Sequence, residues 1–170
     1  MIRIKTWRVE WSIIAVLLAA LGFVSLAPQD PPKAAEAPRV TGLGGVFFKT
    51  KDPKATMAWY HTHLGIDGER GGFAFQWREK AKPDDVGYTI WSAFPETTKY
   101  FGPGDQSCML NFRVADLTSL LATLKKEGVE IAGEMQEAPN GKFAWVLDGD
   151  GRRVELWEPV ASAKDPYLGK

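Results

Sequence analysis

The sequence predicts an α+β fold of two βαβββ modules, a curved mixed sheet around a cleft with helices on the outer face. Three observations carry this: an internal repeat, strands that alternate in polarity, and helices with matched start and stop residues. FFKTKDPKATMAWYHTHLG and NFRVADLTSLLATLKKEG align so that Phe48 matches Phe112 and Asp52 matches Asp116, both pairs 64 positions apart. Gly65 matches Gly128 at 63, so one residue is lost within the second helix. Each copy reads as a strand, a helix and further strands.

Taken in order, the first strand precedes Asp52, which is placed to cap a helix with Pro53 at its first position and Gly65 as its left-handed stop. Gly72 to Glu79 alternates, with Phe73, Phe75 and Trp77 on one face and Ala74, Gln76 and Arg78 on the other. Gly87 to Phe94 is a further strand. Asp116 caps a second helix whose Leu117, Leu120, Leu121 and Leu124 form one apolar face. Lys125 and Lys126 fall in its last turn and Gly128 ends it. Glu130 to Met135 reads as a weak strand. Lys142 to Leu147 and Arg153 to Trp157 flank Asp148-Gly149-Asp150-Gly151, a hairpin connection.

Composition bounds the function. Of 170 residues, 45% are apolar and 25% charged, which excludes wholesale disorder and collagen-like repeats. Twenty-one basic and 21 acidic residues cancel, so no surplus of cations is available for general nucleic-acid binding. A lone cysteine, Cys108, excludes an internal disulfide and a multi-cysteine zinc site. Seven tryptophans suit either an aromatic core or a pocket for a planar ligand.

Residues 1–27 form a separate segment. Arg3, Lys5 and Arg8 precede the uncharged run WSIIAVLLAALGFVSLA, and the Pro/Ala-rich stretch 28–39 follows. Basic flank, apolar run and polar spacer read as a signal peptide or membrane anchor. As a helix, Trp11 to Ala27 would span about 26 Å, just short of a hydrocarbon core. Ser25-Leu26-Ala27 and Ala35-Glu36-Ala37 resemble cleavage sites, but Pro28 and Pro38 follow them. An uncleaved anchor is favoured over a cleaved signal; either places the domain outside the cytoplasm, periplasmic or extracellular. The globular part covers 40–160, as modules 40–95 and 107–160, with 161–170 as a tail.

GGVFFKTKDPKATMAWYHTHLGI (Gly44 to Ile66), MLNFRVADLTSLLATLKKEGVEI (Met109 to Ile131) and FAWVLDGDGRRVELWEP (Phe143 to Pro159) together resemble the vicinal oxygen chelate superfamily. That superfamily includes glyoxalase I, extradiol dioxygenases and the bleomycin-resistance proteins. Its enzymes typically hold a divalent metal at four strand positions, two per module. The resemblance places Glu155 at one such position and Gly45, counted back from Asp52, at another. A shift of 64 then gives Trp91 and Met109 as their partners. Glycine has no donor, tryptophan offers only an N–H, and methionine is too soft for Mg, Mn or Zn. No metal ligand set is therefore expected there, and no cofactor.

Substitute chemistry is equally thin. His61 and His63 lie two apart on a helix and cannot chelate together. Asp148 and Asp150 suit a turn better than a calcium loop, because no downstream ligand follows. Gly42-x-Gly44-Gly45 precedes a strand, so it is no phosphate loop. Cys108, at a strand start, is expected to be buried and inert.

A cleft with one carboxylate and many rings remains. Two-residue alternation carries Phe47, Thr89, Asn111, Arg113, Arg153 and Trp157 to the face of Trp91, Met109 and Glu155, with Arg113 and Arg153 near the acid. Glu155 then neutralises those cations, orients a polar group, or acts as a general base. The segment FPETTKYFGPGDQ (Phe94 to Gln106) sets Tyr100 and Phe101 to cover the cleft or a dimer seam. The resemblance also implies a homodimer. Two readings stay open: metal-independent binding of a small organic ligand in an aromatic cleft, or a glyoxalase- or lyase-type enzyme using Glu155 or a divalent metal at another place.

Overall fold

Backbone hydrogen bonding joins seven strands into one mixed sheet in the order β2-β3-β1-β4-β7-β6-β5. The computed structural model describes residues 39–68, 72–80, 82–166 and 168. The signal or anchor segment 1–27 and most of the linker lie outside them. Among the described residues no helix is long and apolar enough to cross a membrane.

The first module comprises β1 (Val40–Thr50), α1 (Pro53–Leu64), β2 (Gly72–Arg78) and β3 (Val86–Pro95). The second comprises β4 (Cys108–Val114), α2 (Leu117–Lys126), β5 (Gln136–Ala138), β6 (Gly141–Leu147) and β7 (Arg153–Pro159). Both helices start where their caps predict. Asp52 accepts the N–H of Ala55 at 3.0 Å, and Asp116 accepts that of Ser119 at 2.9 Å. Gly65 ends α1 in the left-handed region, at φ 66°. The Asp148 turn is closed by its own side chain, which accepts the N–H groups of Asp150 and Arg152 and pairs with the Arg152 guanidinium.

Two strand assignments need correction. Glu130 to Met135 is not a strand: only Ile131 bridges to Val146. Gly133, at φ 112°, turns the backbone out of the extended region, and pairing resumes as the three-residue β5. Among the described residues the first module has two strands after its helix, not three.

The repeat is visible in the register. Gly45 faces Asn111 and Phe47 faces Met109 across the antiparallel β1–β4 pair, which relates the two modules by a shift of 64. The parallel pairs differ by one: Phe47 faces Ser92 on β3, whereas its counterpart Asn111 faces Glu155 on β7. Past the helices the shift is therefore 63, and Ser92, not Trp91, is the counterpart of Glu155. The lost residue in α2 carries through to the last strand.

Apolar side chains cover both faces of the second module. On the helix face, Val114, Leu117, Ala144, Val146 and Leu156 are buried beneath Leu120, Leu121 and Leu124 of α2. On the other face, where the sequence predicts an open cleft, Phe47, Phe101, Met109 and Trp145 form a second buried cluster with Ile90, Phe94 and Phe143 around it. Helix α1 is seated more lightly, since Met57 is its buried residue. Met57→Ala is expected to cost about 2 kcal/mol, at the low end for a buried methionine, measured by urea denaturation.

Candidate functional site

Glu155 sits in the middle of β7, and only 1% of it is exposed. Oε2 accepts the phenol O–H of Tyr100 and the indole N–H of Trp145, the latter at 2.8 Å. Oε1 accepts the Asn111 amide N–H at 2.5 Å. Burial pushes the Glu155 carboxyl up, against those three hydrogen bonds and the charge of Arg153. Burial also pushes the Tyr100 phenol up, with the charge and hydrogen bond of Glu155 adding to it, so the phenol keeps its proton. A carboxylate ringed by donors is a receptor for N–H and O–H groups.

Tyr100 reaches Glu155 from the inter-module segment. Its ring stacks parallel on Phe94, centroids 5.4 Å apart, and meets Phe47 and Trp145 edge-on. Phe101 beside it is fully buried. The Gln106 side chain ties the far end of the segment to β7, accepting from the Arg153 N–H and donating to its carbonyl. This segment therefore covers the cleft, and Tyr100 fills its Glu155 end.

The residues singled out from sequence divide into three groups. Phe47, Met109, Asn111 and Glu155 do meet on the cleft face, with Arg153 stacked over Trp145 at 4.7 Å beside them. Arg113 and Trp157 share that face but lie further along, where Arg113 contacts rings and Glu79 in place of Glu155. Trp91 does not belong: it packs on Phe48 and on Tyr60 of α1, at 4.8 and 4.3 Å, on the helix side. Thr89 falls out of register with it. Its hydroxyl donates to the Leu43 carbonyl at 2.7 Å and accepts the Trp77 indole N–H. Cys108 is exposed, not buried, and partial burial pushes its thiol up, away from a reactive thiolate.

With the corrected register, the four symmetry-related positions are Gly45, Ser92, Met109 and Glu155. A Cβ at Gly45 would lie 2.7 Å from the Phe47 ring, so no ligating side chain fits there. Glu155 is the single carboxylate, and its oxygens already hold three donors. A divalent ion of the superfamily's usual kind does not fit this donor set. Among the described residues no group of three or more His, Cys, Asp or Glu is placed to hold one elsewhere. His61 and His63 are exposed on α1, with the His63 ring tilted against Trp59, centroids 4.9 Å apart.

Gly44 makes room for the polar pair. A Cβ there would fall 1.9 Å from Asn111 Oδ1 and 2.9 Å from the Trp157 ring. Gly44→Ala is therefore expected to lower the melting temperature by several degrees, because neither neighbour can retreat in a filled core.

Past Trp157 the cleft face opens into a cavity of about 270 Å³, with Thr41, Tyr88, Arg113, Ser162 and Asp165 in its wall. The chain after β7 returns to close it: a 3-10 turn at Ser162–Lys164 brings Asp165 to the Tyr88 phenol, which donates at 2.9 Å. Burial pushes that phenol up, and Asp165 adds to the effect. The Arg113 guanidinium packs over both the Trp77 and the Trp157 rings, 5.1 and 4.8 Å from their centroids. Burial lowers its pKa, although Glu79, Tyr88 and Asp165 oppose this. Trp157 is held from behind by Phe143, stacked at 5.9 Å, and by its N–H to the Asn140 carbonyl. Trp77, Tyr88, Trp145 and Asp165 were not legible as site residues. The alternation that marks Trp77 as a strand residue was the one available signal.

A family model, described as Glyoxalase/Bleomycin resistance protein/Dioxygenase superfamily, matches residues 42–156. No curated protein matches the chain. Among solved structures, methylmalonyl-CoA epimerase from Mycobacterium tuberculosis is 25% identical, covering 74% of this chain and 92% of that one, at a TM-score of 0.47. A variant of Streptomyces coelicolor methylmalonyl-CoA epimerase in complex with 2-nitronate-propionyl-CoA is 14% identical over 72% of this chain and 99% of its own, at 0.55. The Mn(II)-bound glyoxalase from Novosphingobium aromaticivorans is 17% identical over 72% and 40%, at 0.45. With the two-module sheet, its parallel β1–β3 and β4–β7 pairs and a family match over most of the chain, this protein belongs to the glyoxalase/bleomycin resistance/dioxygenase superfamily.

Proposed function

We propose that the domain binds a small organic molecule without a metal ion, at the Arg113 end of its aromatic cleft. The observation that carries this is the state of Glu155. Its oxygens are turned to Tyr100, Trp145 and Asn111, which makes the acid part of the floor. The cavity beside Tyr88 and Arg113 offers a separate space, and its mixture of apolar, hydroxyl and charged groups suits an organic ligand. A glyoxalase- or lyase-type reaction at Glu155 would require Tyr100 to leave and the acid to lose its three donors.

A thermal-shift screen of the full chain against aromatic antibiotics, methylglyoxal–thiol adducts and catechols tests the reading. A binder at a hundred times its Kd adds about 2.7 kcal/mol, a rise of several degrees in Tm. That rise is expected to persist in EDTA and in Glu155→Gln. A rise that appears only with added divalent metal, or turnover abolished by Glu155→Gln, would overturn it.

A further inference from the structure

A second pocket, of about 550 Å³, opens between the inter-module segment, β1 and β7, with Lys49, Lys99 and Arg153 in its wall. Along β7, Arg153 and Trp157 flank Glu155, and Arg113 pairs with Trp157, so this pocket and the Arg113 cavity lie towards opposite ends of the cleft face. Two of its cations are held in place by rings: Lys49 Nζ stands 5.4 Å from the Phe101 centroid and the Arg153 guanidinium 4.7 Å from that of Trp145. Arg153 Nη2 donates to the Ala132 carbonyl at 3.2 Å, whereas Nη1 has no acceptor among the described residues. Unlike the enclosed Nε, Nη1 lies against Gly102 in the pocket wall, where a Cβ would stand 3.5 Å from it. Gly102, at φ 81°, carries the segment past the guanidinium with no side chain to cover it.

No carboxylate lies within ion-pair distance of Lys49, Lys99 or Arg153 among the described residues. The charge of Arg153 reaches Glu155, but the oxygens of that acid are held by Tyr100, Trp145 and Asn111. Glu96 is the one acid in the wall, so three cations against it leave two positive charges unmatched, in a chain whose charges cancel overall.

We infer that this pocket binds the phosphoryl group of a small phosphate monoester. Such a group carries about 1.5 to 2 negative charges near neutral pH and three acceptor oxygens, which match the surplus and the three cationic donors. A carboxylate supplies half the charge and one oxygen fewer. Thr98 adds a donor: its Oγ1 accepts the Tyr100 N–H at 3.3 Å, which leaves its own hydroxyl hydrogen for an acceptor in the pocket. The volume leaves room for the esterified group beside the phosphate. The site is independent of what the Arg113 cavity holds.

The test is calorimetric titration of the full chain, at low salt and above the second phosphate pKa of about 6, with glycerol 3-phosphate, glycerate and glycerol. Glycerol 3-phosphate is expected to bind about tenfold or more tightly than glycerate, and glycerol not at all. Lys99→Gln should weaken glycerol 3-phosphate about fivefold or more, and Glu96→Gln should tighten it; both positions are exposed, so both variants fold. Arg153→Lys keeps the charge but loses the planar donor set, and should also weaken it about fivefold. Glycerate binding as tightly as glycerol 3-phosphate, or an affinity unchanged in Lys99→Gln, would overturn the assignment. Sedimentation with phosphatidylcholine vesicles containing phosphatidic acid separates a free ester from a lipid headgroup. Native chain and Lys99→Gln are expected to sediment alike. Sedimentation that Lys99→Gln abolishes would make a headgroup the ligand and overturn the free ester.

Discussion

Glu155→Ala is expected to destabilise the domain by about 3–5 kcal/mol, while Glu155→Gln stays within about 1 kcal/mol of the native chain. The alanine leaves the Tyr100 hydroxyl, the Trp145 indole N–H and the Asn111 amide without their acceptor, the last two on buried residues, and opens a cavity among them. Glutamine keeps the volume. Its carbonyl can take the Tyr100 and Trp145 donors, and once the Asn111 amide flips to turn Oδ1 toward it, its amide nitrogen can donate to that oxygen, which has no partner in the native arrangement. Urea denaturation of the two variants measures the difference.

The same acid predicts a pH dependence of definite sign. Burial holds the folded-state pKa of Glu155 above its ordinary 4.5, so the fold prefers the neutral acid. The stability from that preference is complete below the ordinary value and is lost as pH rises through the raised one. Between those two points the native chain should lose stability that Glu155→Gln keeps. Parallel stability curves for the two proteins above pH 4.5 would show that Glu155 titrates as an exposed carboxyl does.

Trp157→Ala is expected to cost about 3–5 kcal/mol and to remove ligand binding at the Arg113 cavity. The indole is 2% exposed and joins four partners: Phe143 behind it, Tyr88 at 5.2 Å, the Asn140 carbonyl, and the Arg113 guanidinium. Its loss leaves one face of a buried cation without its ring and a void too large for these neighbours to fill. Trp157→Phe should recover most of the stability, because the stack on Phe143 survives while the Asn140 hydrogen bond does not. Denaturation midpoints of the two variants, with the thermal-shift response to ligand, separate packing from binding.

Much of the fold is legible in the residues because local and global signals agree. Asp52 and Asp116 cap helices that Gly65 and Gly128 end, and the strand alternation of β2, β6 and β7 is regular. The Glu130 to Met135 stretch misleads because Gly133 breaks an otherwise extended run. At the site, Phe47, Met109, Asn111 and Glu155 could be brought together by counting in twos along three strands, β1, β4 and β7. Trp91 could not, because a shift of 64 holds only before the helices, and the residue missing from α2 turns the count by one. An odd error moves a strand residue to the opposite face. Trp91 therefore went to α1, and Ser92 took its place. The contacts of Tyr88 with Asp165 and of Tyr100 with Glu155 join segments far apart in the chain, and no local pattern encodes them.

The most direct measurement is elemental analysis of the purified full chain, paired with its melting temperature in EDTA and in excess Mn²⁺. If hydrogen-bond donors occupy the carboxylate as the geometry shows, no divalent ion accompanies the protein in stoichiometric amount, and chelator and manganese leave the melting temperature alike. One tightly held ion per chain, released on changing Glu155 to glutamine and stabilising when restored, would contradict the account.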